Sequence, residues 1–550
     1  MNNEPSSPSS VTSGVTSEQS GYQSVLTPAP GGPLYESVLP APPAASTSVA
    51  SPVTPSPATQ RGLFILAIAL GSGLAGDWLL RATPWGVNLS VWLTITATGA
   101  WFVFRHEDRT NPTLYWFALP LGFFSLALAW RDSLTLQALD VGALLVTLLL
   151  LMMHKQRGRL RYEGLVNYVT SGFELAAETA IGMLLLVFGD IGWRELPRNG
   201  WSARAFAIGR GLALAVPVLA VFGGLLMAAD AMFENLVFNA FSFDASALVL
   251  HLFVAGCVTW LVGGYLHGLL SASALSKHKA PVSAAQTASG FFSLGIIETG
   301  IVLGLLNLLF LAFVLVQFRY LFLQGAEFAP DAGTAFSNYA RRGFFELVWV
   351  SLLVLPLLLG MHWLLRKDQP RNETIFRALA STQIALLFVI MASAIKRMLL
   401  YHECCGLTEL RIYTLAFQLW LAVVFLWFIA TVLRGQRERF ATGAVIAGLC
   451  IIAALHILNP DNLIARVNLA RARDGRHTDI PYTVSLSADS VPALVAGLNG
   501  LSATDQQQLR TRLRERDWSG GATGWRSWNW SRVRAYQLVQ SLTAPLATKN

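Results

Sequence analysis

Lys396, Arg397, Tyr401 and Arg411 are the residues whose types and spacing could do chemistry in this chain. They fall in AIKRMLLYHECCGLTELRIYT (394–414), three cations and a phenol around one turn between two apolar runs. Gly406 is a natural helix stop and Thr408 a natural N-cap, so the turn is only two or three residues long. Arg397 and Tyr401 then share a face by their i,i+4 spacing, and Arg411 returns to about the level of Tyr401. Such a cluster suits an anionic headgroup, a phosphate or a carboxylate. It equally suits a structural clasp on Glu403, Glu409 and helix carboxyl ends. The residue types leave both readings open.

Five other ionisable residues lie in or beside apolar runs: Asp140, Glu298, Arg319, Arg342 and Glu346. A charge in hydrocarbon is costly unless it pairs, snorkels or meets water, so each is a candidate intramembrane polar site. Structural pairing is the plainer reading, and Arg342 and Glu346 have the i,i+4 spacing for it. No metal is expected. Tyr401-His402-Glu403-Cys404-Cys405 holds possible ligands, but consecutive helical residues cannot all face one ion. Cys257 and Cys450 sit inside apolar runs, and nothing resembles a secreted disulfide framework. No phosphate-binding loop, H-E-x-x-H, G-x-S-x-G or dinucleotide fingerprint occurs, so no catalytic residues and no cofactor are assigned. A basic balance of +8 without a recognisable binding motif points to anionic headgroups and cytoplasmic loops, not to nucleic acid.

The elements that must position these residues are apolar helices. Of 550 residues, 53% are hydrophobic and only 13% charged, about half the charge of a typical soluble protein. From 61 to 459 the chain is one apolar run after another, each near the length that crosses roughly 30 Å of hydrocarbon. The expected spans are 62–80, 87–104, 113–130, 134–153, 211–229, 247–269, 293–318, 343–365, 376–396, 412–433 and 440–458. That makes about 11, possibly 12, because 172–192 is ambiguous. It contains Glu174 and Glu178 and ends on Asp190, and reads as an interfacial or partly buried helix. If it does not cross, the Lys- and Arg-rich stretches 105–109, 155–161, 194–210, 277–279, 366–377 and 434–439 share one side. The positive-inside rule then places the N-terminus in the cytoplasm and the C-terminal region outside.

Residues 1–60 carry no Lys or Arg and are rich in Ser, Pro, Thr and Ala. They read as a disordered tail, and the missing basic start argues against a signal peptide. Residues 460–550 read as a small α-helical appendage. Its expected helices are 462–474, one with Pro492 in its first turn, one from Ser502 or Thr504 to Arg516, and one after Trp530. Trp518, Trp525, Trp528 and Trp530 are its expected core, with the lipid interface as the alternative. Gly264 with Gly268, and Gly300 with Gly304, have the spacing for close helix packing within the bundle.

Five runs carry a resemblance: GLALAVPVLAVFGGLLMAADAMF (211–233), FVLVQFRYLF (313–322), YARRGFFELVWV (339–350), IKRMLLYHECCGLTELRIYT (395–414) and NPDNLIARVNLARARDG (459–475). The chain resembles, over about 110–550, a bacterial family of polytopic membrane proteins catalogued only as a domain of unknown function. The resemblance implies a multi-pass protein of the bacterial cytoplasmic membrane and no catalytic residues. It departs at Cys405, where the family pattern leads one to expect an aromatic residue. Three functions remain open, in this order. The first is a non-enzymatic scaffold, sensor or envelope-assembly component with a protein partner at the C-terminal region. The second is a transporter or channel lined by Asp140, Glu298 and the Lys396–Arg411 group. The third is a membrane-embedded enzyme acting on an anionic lipid-linked substrate.

Overall fold

The computed structural model describes residues 56–104, 115–157, 165–193, 195, 245–275, 295–318, 344–365, 369–476, 478–519 and 524–543. The tail up to residue 55, the span expected at 211–229, Arg319 and Arg342 lie outside them, as do the side chains of Tyr401, Cys404 and Cys405. The described chain is all-α. Its long apolar helices are α1 Pro57–Leu80, α2 Val87–Phe104, α3 Tyr115–Trp130, α4 Leu134–Arg157, α5 Leu165–Leu185, α6 Ala245–Leu275, α7 Ile296–Phe318, α8 Phe344–Leu364, α9 Pro370–Cys405, α10 Glu409–Thr431 and α11 Phe440–Leu458. Nine apolar segments among the described residues have the length and hydropathy to cross a bilayer, and α2 and α3 are slightly shorter. Leu305, Leu308, Leu309 and Leu315 of α7 all point outward. Water would not tolerate that surface, but hydrocarbon does, because helices keep their backbone polar groups paired internally.

Side-chain contacts fix helix directions. Gly73 of α1 lies against Thr259 of α6, and Ala69 against Gly263, so the two run antiparallel. Tyr265 of α6 donates to the Leu148 carbonyl of α4 at 2.8 Å, and Met152 presses on Gly268, so α4 and α6 run the same way. Asn307 of α7 bonds the Leu379 carbonyl of α9, and Ser393 bonds Gln317, so those two are parallel. Asp140 near the start of α4 meets His456 near the end of α11. Thus α1, α3, α7, α9 and α11 run one way, and α2, α4, α6, α8 and α10 the other. The end where α1 starts is here the basal end, and its opposite the distal end.

These directions bear on the ambiguous segment. Residues 172–190 are long and apolar enough to cross. Yet α5 leaves the basal end of α4 and passes Leu149 at Gly172. Its continuation to Asp190 meets His267 at 3.1 Å, and Glu195 accepts the Ser56 amide and Thr59 hydroxyl where α1 begins. Both its ends are basal. Since α4 and α6 share a direction, an odd number of crossings separates them, and 211–229 is the sequence candidate. The reading of 172–192 as a helix that does not cross fits this geometry.

Glycine spacing resolves differently in the two pairs. A Cβ on Gly264 would sit 1.9 Å from the Thr179 carbonyl oxygen, and one on Gly268 2.1 Å from Met152 Cε. This pair packs α6 against α5 and α4. Gly300 and Gly304 meet nothing within 4 Å.

The C-terminal region folds as α12 Pro460–Arg473, α13 Ile480–Ser485, α14 Val491–Gly497, α15 Ala503–Glu515 and α16 Trp530–Thr543. Leu469, Val491, Leu494, Leu509, Leu513 and Ala535 form its core. The short α13, capped by Asp479 on the Tyr482 amide, was not expected. The tryptophans divide. Trp518 is buried, but Trp525 and Trp530 are more than half exposed, which corrects their expected place in the core. They sit where the appendage meets the distal end of the bundle, and Trp525 packs 5.4 Å from Trp78 of α1. That position suits the headgroup level, where indoles are favoured.

A buried polar joint between bundle and cap

The appendage is a cap on the distal turns. At the α1–α2 turn, Val87 and Asn88 donate their amides to the Trp528 and Arg526 carbonyls, each at 3.0 Å. Gly86 is required there, because a Cβ would lie 2.3 Å from the Trp528 oxygen. At the α9–α10 turn, Gly406 adopts φ +74°. Asn468 closes that turn, accepting from Leu407 N at 2.8 Å and donating to Leu407 O at 3.0 Å. Tyr482 accepts the Glu409 amide at 2.9 Å.

The densest contact is at the α3–α4 turn. Asp489 of the cap accepts the amides of Asp132 (2.7 Å) and Ser133 (3.2 Å), the Ser531 hydroxyl (2.6 Å) and Arg131 (3.3 Å). Asp132 answers by accepting the Ala488 amide at 3.1 Å and pairing with Arg532 at 2.5 Å. Arg532 also reaches the Pro84, Trp85 and Ser527 carbonyls. Asn529 caps α16 by accepting the Ser531 and Arg532 amides, while donating to the Leu128 and Arg131 carbonyls at the end of α3. Arg131 places its guanidinium on the His456 carbonyl, where the α11 dipole favours a cation, and stacks 4.3 Å over Trp130. Below it, His456 and Asp140 pair at 3.1 Å, both fully buried.

Electrostatics follow from burial. Desolvation raises the Asp132 carboxyl above the usual carboxylate range, with Arg532 opposing. Asp461, where α12 begins, is pushed up to about 7, chiefly by burial, while the Ser487 hydroxyl and amide it accepts act to lower it. Its Oδ1 has no partner. A carboxyl held above its unfolded value binds its proton more tightly when folded. The folded state is therefore favoured at low pH and loses that advantage as pH rises from about 4 to 7, by up to about 4 kcal/mol. Asp461→Asn is expected to flatten the stability profile across that window while melting close to the native protein at pH 5, as thermal unfolding in detergent would measure.

The sequence candidates scatter. Asp140 enters the joint. Arg397 donates to Gln317 of α7 at 2.5 Å, while Arg411, nearly buried, donates to the Gly406 carbonyl of its own turn. Lys396 is half-buried on α9. Glu298 lies exposed at the basal start of α7 and Glu346 exposed at the distal start of α8, far from each other. Asp132, His456, Asn468, Asn529 and Arg532 were not singled out from sequence; Asp489 offers itself there, with Ser490, only as the cap of the helix carrying Pro492. Their common signal is a polar residue within a few positions of an apolar run's end. No group of three or more metal-type ligands occurs among the described residues.

A helical multi-pass bundle whose distal turns are clasped by its own C-terminal cap defines the class: a polytopic α-helical membrane protein. The chain belongs to the family described as domain of unknown function DUF4153, whose model matches residues 118–497, from α3 through α14. No curated protein and no solved structure matches the chain.

Proposed function

We propose that this protein is a non-enzymatic scaffold or sensor of a bacterial cytoplasmic membrane, with its N-terminus in the cytoplasm and its cap outside. One observation carries the reading. The side chains with chemistry at the distal end, Asp132, Asp140, His456, Asp461, Asp489 and Arg532, are engaged inside the joint and largely hidden from any substrate. They hold a cap in place, and the cap is the surface left for a partner. Arg397 and Arg411 fit the clasp reading of their hairpin, since each reaches a neutral acceptor of the fold. Orientation is supported by charge: Arg434, Arg437 and Arg439 lie in the basal α10–α11 turn, and Lys155 and Arg157 end α4 there.

Alkaline phosphatase fused after residue 238 and at the C-terminus is expected to be active at both sites, and inactive after Gln436. Activity at Gln436 would invert the orientation. Photo-crosslinkers on exposed α15 positions are expected to trap a discrete envelope protein. Proton-driven solute uptake by liposomes holding the purified chain alone would replace the scaffold reading with a transporter.

A further inference from the structure

We propose that Asp140 and His456 form a proton-binding site buried where the bundle meets its cap. His456 Nδ1 lies 2.9 Å from the Ile452 carbonyl oxygen one turn back. A carbonyl only accepts, so Nδ1 carries a hydrogen. Nε2 lies 3.1 Å from Asp140 Oδ2. Were Nε2 bare and Asp140 ionised, two acceptors would face each other in a site without water access. One proton therefore lies between them, on the oxygen or on the nitrogen. Ionised Asp140 beside neutral His456 is the state this geometry disfavours.

The surroundings hold the pair in place. The imidazole sits among Phe123, Phe124 and Trp130, with ring centroids 5.7, 6.5 and 6.4 Å away. Asp140 Oδ1 has no partner, so nothing else offsets a full negative charge there. Arg131, from the α3–α4 turn, meets Asp489, Trp130 and the His456 carbonyl, and bonds neither the His456 ring nor the Asp140 carboxyl. Asp132, Asp461, Asp489 and Arg532 bond to one another, to neighbouring hydroxyls and to main chain, while Tyr413 and Arg411 of α10 bond Ser133 and Gly406. Glu409 presents its amide to Tyr482. No charged group other than its partner bonds to the Asp140 carboxyl or the His456 ring. An ionisable pair at membrane depth is a functional-site hypothesis in its own right.

A sign follows for pH. When the joint opens, water reaches both groups and nothing keeps the proton between them. Wherever the closed form holds one proton more than the open form, the closed-to-open ratio falls about tenfold per pH unit. The cap is thereby tied to the acidity of its compartment.

The test uses the full chain in lipid nanodiscs. An Asp461→Asn background removes the buried acid of the joint that is pushed up to about 7. In that background, cap release by limited proteolysis between pH 6.5 and 8.5 is expected to rise about tenfold per unit. Adding Asp140→Asn supplies an amide that donates to Nε2 without titrating, and should abolish the slope. An unchanged slope overturns the proposal. Should the variant not fold, nitrogen NMR of histidine-labelled native protein decides. A doubly protonated His456 ring, or one protonated at Nδ1 whose Nε2 accepts a hydrogen bond, supports the site at pH 7, and a ring without a hydrogen on Nδ1 overturns it.

Discussion

Asp489→Leu is expected to free the cap from the bundle. The carboxylate is almost fully buried and accepts from two main-chain amides, one hydroxyl and one guanidinium. Leucine is similar in volume but leaves both amides and the Ser531 hydroxyl unmet, and Arg131 loses its anion while keeping the His456 carbonyl. Removing one partner of a buried pair costs roughly 3–5 kcal/mol, and each abandoned amide adds to that. The loss is of the order of a whole domain's stability. Limited proteolysis in detergent should cut the chain between α11 and α12 within the time that leaves the native protein whole. Glu515→Gln, exposed at the end of α15, should leave both the digestion pattern and the melting temperature unchanged.

Gly264→Ala is expected to be the most damaging single methyl in the bundle, and Gly300→Ala nearly silent. The two glycines share one sequence spacing. At Gly264 the new carbon would stand 1.9 Å from a main-chain oxygen of Thr179, which no rotamer change relieves. Either α5 lifts from α6 or the helix bends, at a cost of about 1–3 kcal/mol or more. At Gly300 nothing lies within 4 Å, and alanine is the better helix former. Thermal unfolding of the two purified variants separates them. Equal melting temperatures would show that the close approach of α5 to α6 contributes nothing to stability.

The long apolar runs were legible in the sequence because one rule governs them. Every main-chain polar group at membrane depth must be paired within its own helix, so among the described residues each run of suitable length is a helix with nearly the predicted ends. The continuous α9 through Lys396 to Cys405 follows from Gly406, whose left-handed conformation ends it. The cap helices were legible from Pro492 and Ser502. The joint was not. Asp132 and Asp489 are 357 positions apart and each looks like an ordinary turn acid. His456 sits in an apolar run two residues before the end of α11, where a surface histidine reads the same way. Only the meeting of α3, α4 and α11 under the cap turns them into partners. Trp525 and Trp530 misled for the opposite reason: aromatic bulk suggests a core, whereas these indoles rim one.

The clasp of the α1–α2 turn by the loop before α16 sets a clock on biogenesis. Arg526 donates to the Trp78 carbonyl across 448 positions of chain. At about 5–20 residues per second, the first hairpin waits roughly 20–90 s in the membrane before its partner is even synthesised. Through that interval Val87 and Asn88 present unmet amides that a chaperone or protease can read. A ribosome that stops before residue 526 therefore leaves a visible flag on the α1–α2 turn, and a segment translated late certifies a hairpin inserted early.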